Sequence, residues 1–403
     1  MNDQQIKAFE ARQRERGGDS AAARKALRGI EVETPSWGYG DQGTRFRVFP
    51  KAGVPRDAFE KFEDAGIVHR CTGISPSVAI HIPWDKVADY EKLKKHAEAQ
   101  GVRIGAVNPN LFQEEAYMLG SVCHSRPEIR KQAVAHMLEC VEIMRATGST
   151  LLSLWFADGT NYPGQADIRS RKHWLEEGLA KVYAALDSRQ RMLIEYKFFE
   201  PAFYHTDLAD WGMAYNTALK LGPQAQVLVD TGHHAQGTNI EHLVAYLIDE
   251  GRLGGFHFNA RRYADDDLIV GSVNPYELFL IFYQIQAAQR AGVPAQAQRC
   301  ASQIAYMIDQ SHNIEPKIPA MIRSVLNVHT QYAKALLINW SELEEAQKQC
   351  DVLRAEAAVR EAFEQDVTPL LLAFREESRL PADPMQAYRA SGYQQKSEGR
   401  RKK

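Results

Sequence analysis

Cysteine is scarce in this chain of 403 residues. Its five cysteines, Cys71, Cys123, Cys140, Cys300 and Cys350, are odd in number, scattered and free of any CxxC pair. That pattern argues against a disulfide framework and points to reduced, inert thiols. Long hydrophobic runs are missing as well. No segment approaches the ~20 apolar residues of a membrane span, and Met1-Asn2-Asp3-Gln4-Gln5 opens a charged helical stretch instead of an apolar signal region. Nor does either charge dominate: 49 Lys+Arg face 51 Asp+Glu, a balance without the field that gathers nucleic acid or anionic lipid. The expectation is a soluble cytoplasmic protein with small-molecule partners, no nucleic acid and no membrane.

A GxGxxG phosphate loop is also lacking, which bears on the fold. From about Glu31 to Asn313 short apolar runs alternate with amphipathic helical patterns, as repeated parallel βα units do. Eight strands are predicted, at residues 36–39, 77–83, 103–108, 150–156, 192–198, 226–230, 254–259 and 304–309. Eight units without a dinucleotide loop favour a closed (β/α)8 TIM barrel over a doubly wound sheet. Asp85 and Asn239 read as helix N-caps, the latter for a helix that stops at Gly251.

The predicted organisation is an N-terminal helical extension at 1–30, a catalytic barrel at 31–335, and a C-terminal helical appendage at 336–403. Residues 321–338 and 341–374 carry wide apolar helical stripes, and the basic tail 392–403 is expected to be disordered. The long loop 40–47 after the first strand is a candidate lid or intersubunit arm.

What is present is metal-ligand chemistry at strand ends. Glu195-Tyr196-Lys197, Asp230 running into Gly232-His233-His234, His257-Phe258-Asn259 and Asp309-Gln310-Ser311 each close a predicted strand, and Asp265-Asp266-Asp267 follows the seventh. Side chains alternate along a strand, so Glu195 and Lys197 share a direction, as do His257 and Asn259. Each signal alone fits a hydrogen-bonded core histidine or a loop aspartate. Together they sit where barrel enzymes place their chemistry. Carboxylates and imidazoles without a thiol suit Mn2+, Co2+ or Mg2+ better than a closed structural zinc site. The ligands outnumber one octahedron, so two divalent ions per subunit are predicted. Glu195, Asp230, His257 and Asp309 can converge on a fixed ion; His233, Asp265 and Asp267 can hold a second, reactive one. His234 is given a structural role.

At these residues the chain resembles the L-rhamnose isomerase family, in its broad-specificity bacterial branch among the xylose-isomerase-like barrels. The resemblance runs from about Glu31 to Trp340. It rests on the strand-end motifs together with Ser75-Pro76-Ser77-Val78-Ala79-Ile80-His81-Ile82-Pro83-Trp84-Asp85, Trp155-Phe156-Ala157-Asp158-Gly159 and Tyr263-Ala264-Asp265-Asp266-Asp267. It implies a structural ion on Glu195, Asp230, His257 and Asp309 and a catalytic ion on His233, Asp265 and Asp267, with Mn2+ favoured and Zn2+ also compatible. It further implies that His81, Trp84, Trp155 and Phe112 line a sugar pocket with Lys197 beside the reacting carbons. Phe46 would be delivered from a neighbouring subunit of a homotetramer.

The implied reaction is aldose–ketose isomerisation, L-rhamnose to L-rhamnulose with tolerance for D-allose, L-mannose and L-lyxose, by a metal-assisted hydride shift. Lys197, His233 and Asp309 are the candidate catalytic residues. Lys197 would neutralise an oxyanion, or else form a barrel-interior ion pair with Glu195 or Asp230. Asp309 is the candidate base of the competing enediol route. Apart from the resemblance, Trp84 and Trp155 read more readily as core packing than as a pocket wall. The rival on the same barrel is a keto-sugar 3-epimerase, which needs two opposed carboxylates on one ion.

Overall fold

The structure is a computed structural model and describes residues 3–42, 49, 51–199, 203–310 and 314–402. Eight parallel strands close into a barrel in sequential order: β1 (Val32–Pro35), β2 (Ser77–Ile82), β3 (Arg103–Pro109), β4 (Leu151–Leu154), β5 (Arg191–Glu195), β6 (Ala225–Asp230), β7 (Leu253–Phe258) and β8 (Ala305–Ile308). The seam joins β1 to β8, with Val32 opposite Tyr306 and Glu33 opposite Met307. A helix follows every strand, from Ala58–Thr72 after β1 to Lys317–Ala335 after β8. Six of these helices start because a side chain satisfies a first-turn N–H: Asp57, Asp89, Asp167, Asp210, Asn239 and Asn274.

Strand alternation sorts the core into two layers. Met192, Ile194 and Tyr196 pack outward among the helices, while Leu193 turns inward to meet Ala79, Ala106, Leu228 and Met307. Glu195 continues that inward row at the carboxyl end of β5, so the period of two that buries Leu193 delivers a carboxylate to the barrel mouth.

Several expectations are corrected. The first strand is not 36–39; Ser36–Gly38 is a 3-10 turn, and the strand is the preceding Val32–Pro35. Asp85 caps no helix. It is buried, with Oδ1 2.6 Å from Lys61 Nζ, and Oδ2 accepts from Ser36 Oγ and from the His81 N–H; Asp89 caps the helix that begins at Tyr90.

The stretch 341–374 is three helices, Trp340–Lys348, Val352–Glu364 and Thr368–Glu377. Cys350 interrupts it in the left-handed region, at φ 55. The described part of the basic tail, residues 392–402, is helical from Tyr393 on. Its helix Tyr393–Glu398 docks on the barrel, where Tyr393 donates its hydroxyl to Asp64 Oδ1 at 2.8 Å and Arg400 reaches Asp64 at 2.8 Å and Glu63 at 3.0 Å.

The N-terminal helices Asp3–Glu15 and Ser20–Gly29 pack against Thr368–Glu377, where Arg28 pairs with Glu377 at 2.9 Å. Among the described residues no helix is long and apolar enough to cross a membrane.

Candidate active site

A cavity at the carboxyl ends of the strands gathers most of the residues singled out above. Glu195, Asp230, His257 and Asp309 bring one ligand atom each to within 4.8 Å of the others, and so do Asp230, His233 and Asp265. Asp230 belongs to both groups. His257 Nδ1 stands 3.2 Å from Glu195 Oε2 and 3.7 Å from Asp309 Oδ2; His233 Nε2 stands 3.3 Å from Asp265 Oδ2 and 3.8 Å from Asp230 Oδ2.

Neighbouring groups orient these ligands. His233 Nδ1 faces the Tyr196 carbonyl oxygen at 3.0 Å. A carbonyl can only accept, so Nδ1 carries a proton, and Nε2 is the nitrogen left to offer a lone pair to a cation held among the carboxylates. Asp230 Oδ1 accepts from Gly232 N at 2.6 Å and Asn259 Nδ2 at 2.9 Å, whereas its buried Oδ2 has no hydrogen-bond partner. Glycine at 232 leaves these groups room: a Cβ there would stand 2.4 Å from Asp265 Oδ1 and 2.8 Å from Asn259 Oδ1, and they would have to shift.

Four buried or half-buried carboxylates this close share protons with the histidines when no cation is present. Burial works against charge on His257, but Glu195, Asp309 and Asp230 outweigh it and raise its pKa to about 10. Burial likewise opposes charge on His233, which Asp230 and Asp265 raise to about 9. Asp230 is pushed up to about 7 by burial, against the pull of His233. Donors that are all oxygen and imidazole nitrogen, arranged around an unpartnered carboxylate oxygen, fit divalent cations.

Lys197 Nζ lies 2.6 Å from Asp265 Oδ2 and 5.2 Å above the Trp155 ring. Its ion partner is therefore Asp265, not Glu195 or Asp230. Opposite stand the aromatics: His81 stacks on Trp84 at 4.0 Å, and Phe112 packs on Trp155 at 4.8 Å.

Asp267 lines the same cavity but is not among the residues whose ligand atoms meet within 4.8 Å; its backbone is left-handed, φ 47. Asp266 Oδ2 instead closes its own loop by accepting from Arg262 N and Tyr263 N. His234 faces away from the ligand groups, its Nε2 2.6 Å from the Tyr196 hydroxyl, and burial holds its pKa down at about 3. Phe46 lies outside the described residues. Sequence reasoning missed Trp37, whose Nε1 donates to Asp309 Oδ1 at 2.7 Å, and the cavity-lining Asn108 and Ser153. Trp37 had a signal: it lies just past the first strand, the level at which the other strands carry their ligands.

Comparison with known proteins agrees with this architecture. The family described as the xylose isomerase-like TIM barrel matches residues 67–277. A probable sugar isomerase of Rhizobium meliloti (strain 1021) is 43% identical over 385 residues, covering 94% of this chain and 88% of that protein. The xylose isomerase of Thermus thermophilus is 22% identical over 271 residues, 61% of this chain and 70% of that one. Among solved structures, an L-ribulose 3-epimerase superposes with a TM-score of 0.54 at 13% identity, over 80% of this chain and 98% of its own. A D-allulose 3-epimerase from Methylomonas sp. gives 0.55 at 14% identity, over 75% and 97%. At such identities these two speak for the fold alone. By the family match over residues 67–277, just over half of the chain, and by 43% identity along nearly its whole length to a probable sugar isomerase, the chain belongs to the xylose isomerase-like TIM barrel family.

Proposed function

We propose that the protein is a divalent-metal-dependent aldose–ketose isomerase that converts L-rhamnose to L-rhamnulose and accepts D-allose, L-mannose and L-lyxose. The observation that carries this reading is the pair of ligand groups sharing Asp230, with Lys197 beside the second and an aromatic wall facing both. The name of the 43% identical relative, a probable sugar isomerase, supports the reaction class. Glu195, Asp230, His257 and Asp309 would hold one ion; Asp230, His233 and Asp265, with Asp267 on the adjoining loop, would hold the other. Mn2+ is the favoured ion. When bound, such ions supply Lewis-acid polarisation of neighbouring sugar oxygens.

The chain's own residues do the rest. Trp84, Phe112 and Trp155 offer flat apolar faces to sugar C–H edges and to a 6-methyl group, whose contact discriminates by only ~1–3 kcal/mol and so permits several aldoses. Lys197 presents a cation to the oxyanion that develops at O1 or O2. Hydrogen passes with its electron pair from C2 to C1 while the O2 proton moves to O1. A keto-sugar 3-epimerase, the alternative, would use Glu195 and Asp309 on one ion and would leave the second ligand group and Lys197 without a task. The deciding experiment incubates chelated enzyme with single sugars, with and without Mn2+. An aldose formed from a ketose supports the isomerase, a second ketose supports the epimerase, and no turnover removes both.

A further inference from the structure

Arg171 lies outside the cavity and is almost wholly buried, 2% exposed. Its guanidinium forks onto Asp207, with Nε 3.0 Å from Oδ1 and Nη2 2.8 Å from Oδ2, and Nη1 points to the Leu119 carbonyl at 3.4 Å. Asp207 in turn donates its N–H to the Asp158 carbonyl at 2.9 Å. The Asp158 carboxylate accepts from Ser121 N and Ser121 Oγ, both at 2.6 Å, and from Cys123 N at 2.8 Å. The loops that follow β3, β4 and β5 are thereby tied into one unit. Contact is so close that a Cβ on Gly120, at φ +108, would stand 2.7 Å from Asp158 Oδ1.

Cys123, Asp158 and Asp207 have the spacing of a metal site. Arg171 and the three donors already occupy the carboxylate oxygens, and burial followed by Asp158 and Asp207 pushes the Cys123 thiol well up. It remains a thiol, not a ligand. Such a knot of buried charge calls for another explanation, and the neighbours of Asp207 supply it. On one side Thr206 Oγ1 donates to the Lys197 carbonyl; on the other, Lys197 N donates to the Leu208 carbonyl at 3.0 Å. Both backbone polar groups of Lys197 are held by the residues flanking Asp207. Trp155, under the Lys197 ammonium, lies three residues before Asp158.

We propose that Arg171, through its fork on Asp207, is a positioning residue that fixes Lys197 Nζ against the Trp155 ring and Asp265; its kinetic consequence rests on the isomerase reading above. Lysine cannot substitute, because it lacks the planar fork.

The test compares wild type with Arg171→Lys, Asp207→Asn and Thr206→Val as full-length, Mn2+-loaded proteins, the last being a near-isosteric change in case the first two fold poorly. Acylation of individual lysines by a small amine-reactive ester is followed by peptide mass spectrometry, with Lys61, buried against Asp85 elsewhere in the barrel, as the internal control. Lys197 should label ~10-fold faster in each variant while Lys61 keeps its wild-type rate, and kcat should fall ~10–100-fold with KM within about two-fold. Equal acceleration at Lys61 would mean general loosening and would overturn the proposal, as would an unchanged Lys197. If Lys197 alone accelerates but wild type interconverts no aldose and ketose, the positioning role stands and the isomerase reading falls.

Discussion

Trp37 and Asp309 meet at the seam where the barrel closes: the indole Nε1 donates to Oδ1 at 2.7 Å. One carboxylate oxygen is thus spoken for, and Oδ2 is left facing His257 at 3.7 Å. Trp37→Phe keeps an aromatic ring and removes the donor. Activity or Mn2+ affinity should drop ~10–100-fold, as for partners that orient metal ligands, with little change in the thermal midpoint of the metal-free protein. Wild-type values for both in a Mn2+ titration would contradict this role for the indole.

The two ligand groups should separate in their effect on stability. An ion bound only to the folded chain stabilises it by ~2.7 kcal/mol at a hundred times its Kd. Asp230→Asn and His257→Ala, which touch the group joining four strand ends, are expected to lose both activity and the Mn2+-dependent rise in melting temperature. His233→Ala should lose activity while keeping most of that rise. Identical calorimetric losses in all three would erase the distinction between the groups.

Gly232→Ala tests crowding at the shared carboxylate. The added methyl, 2.4 Å from Asp265 Oδ1, must drive Asp265 off Lys197 and His233. Turnover should fall ~100-fold, with a smaller effect on melting because the displaced residue sits on a loop. A variant with half or more of wild-type kcat would show that Asp265 tolerates the shift.

His329 provides a pH handle far from the site. It packs edge-on against Phe374 at 4.8 Å, and burial, followed by Arg375, lowers its pKa to about 3. The unfolded chain takes up a proton near pH 6.5 that the folded chain refuses. Stability contributed by this neutral histidine is therefore present above about pH 6.5 and lost as pH falls toward 3, approaching ~1.4 kcal/mol per pH unit. His329→Phe keeps the ring contact and should flatten the slope of stability against pH across that window by one proton. Parallel curves from urea melts at pH 7, 6 and 5 would refute the assignment.

Isomerisation in D2O reads how hydrogen travels. A hydride shift carries the C2 hydrogen directly, so the ketose C1 should gain almost no deuterium by mass spectrometry. Substantial label at C1 would instead indicate an enediol route with a solvent-exchanging base, for which Asp309 is the candidate.

Much of this architecture was readable because buried parallel strands are written as short apolar runs. Val227-Leu228-Val229 before Asp230 and Phe256 and Phe258 around His257 are such runs. The first strand was not, because Val32-Glu33-Thr34-Pro35 carries a carboxylate and a proline; Glu33 is accommodated inside by Ser77 Oγ at 2.5 Å and Ala106 N at 3.1 Å, contacts that no local pattern encodes. Strand alternation gave the directions of Glu195 and Lys197 but not the ion partner of Lys197, since Asp265 comes from a loop whose path depends on Asp266 closing it. Asp85 has a cap's place in the sequence, just before a helical pattern, but its partner is Lys61 on the preceding helix, which the local pattern does not show. The basic tail read as solvated because its counterpart, Asp64, lies more than 300 residues earlier.

The seam has a consequence for how the chain is made. Trp37 and Asp309 are 272 residues apart, so at ~5–20 residues per second the ribosome needs roughly 15–50 s to supply the eighth strand after the first. For that interval β1 can pair with β2 alone and presents a bare parallel edge, the kind of template on which nascent chains aggregate. Four residues long, with Glu33 and Pro35 among them, it is a poor template for any foreign strand. The composition that hides β1 from a reader of the sequence also shields it from the wrong partner until β8 arrives.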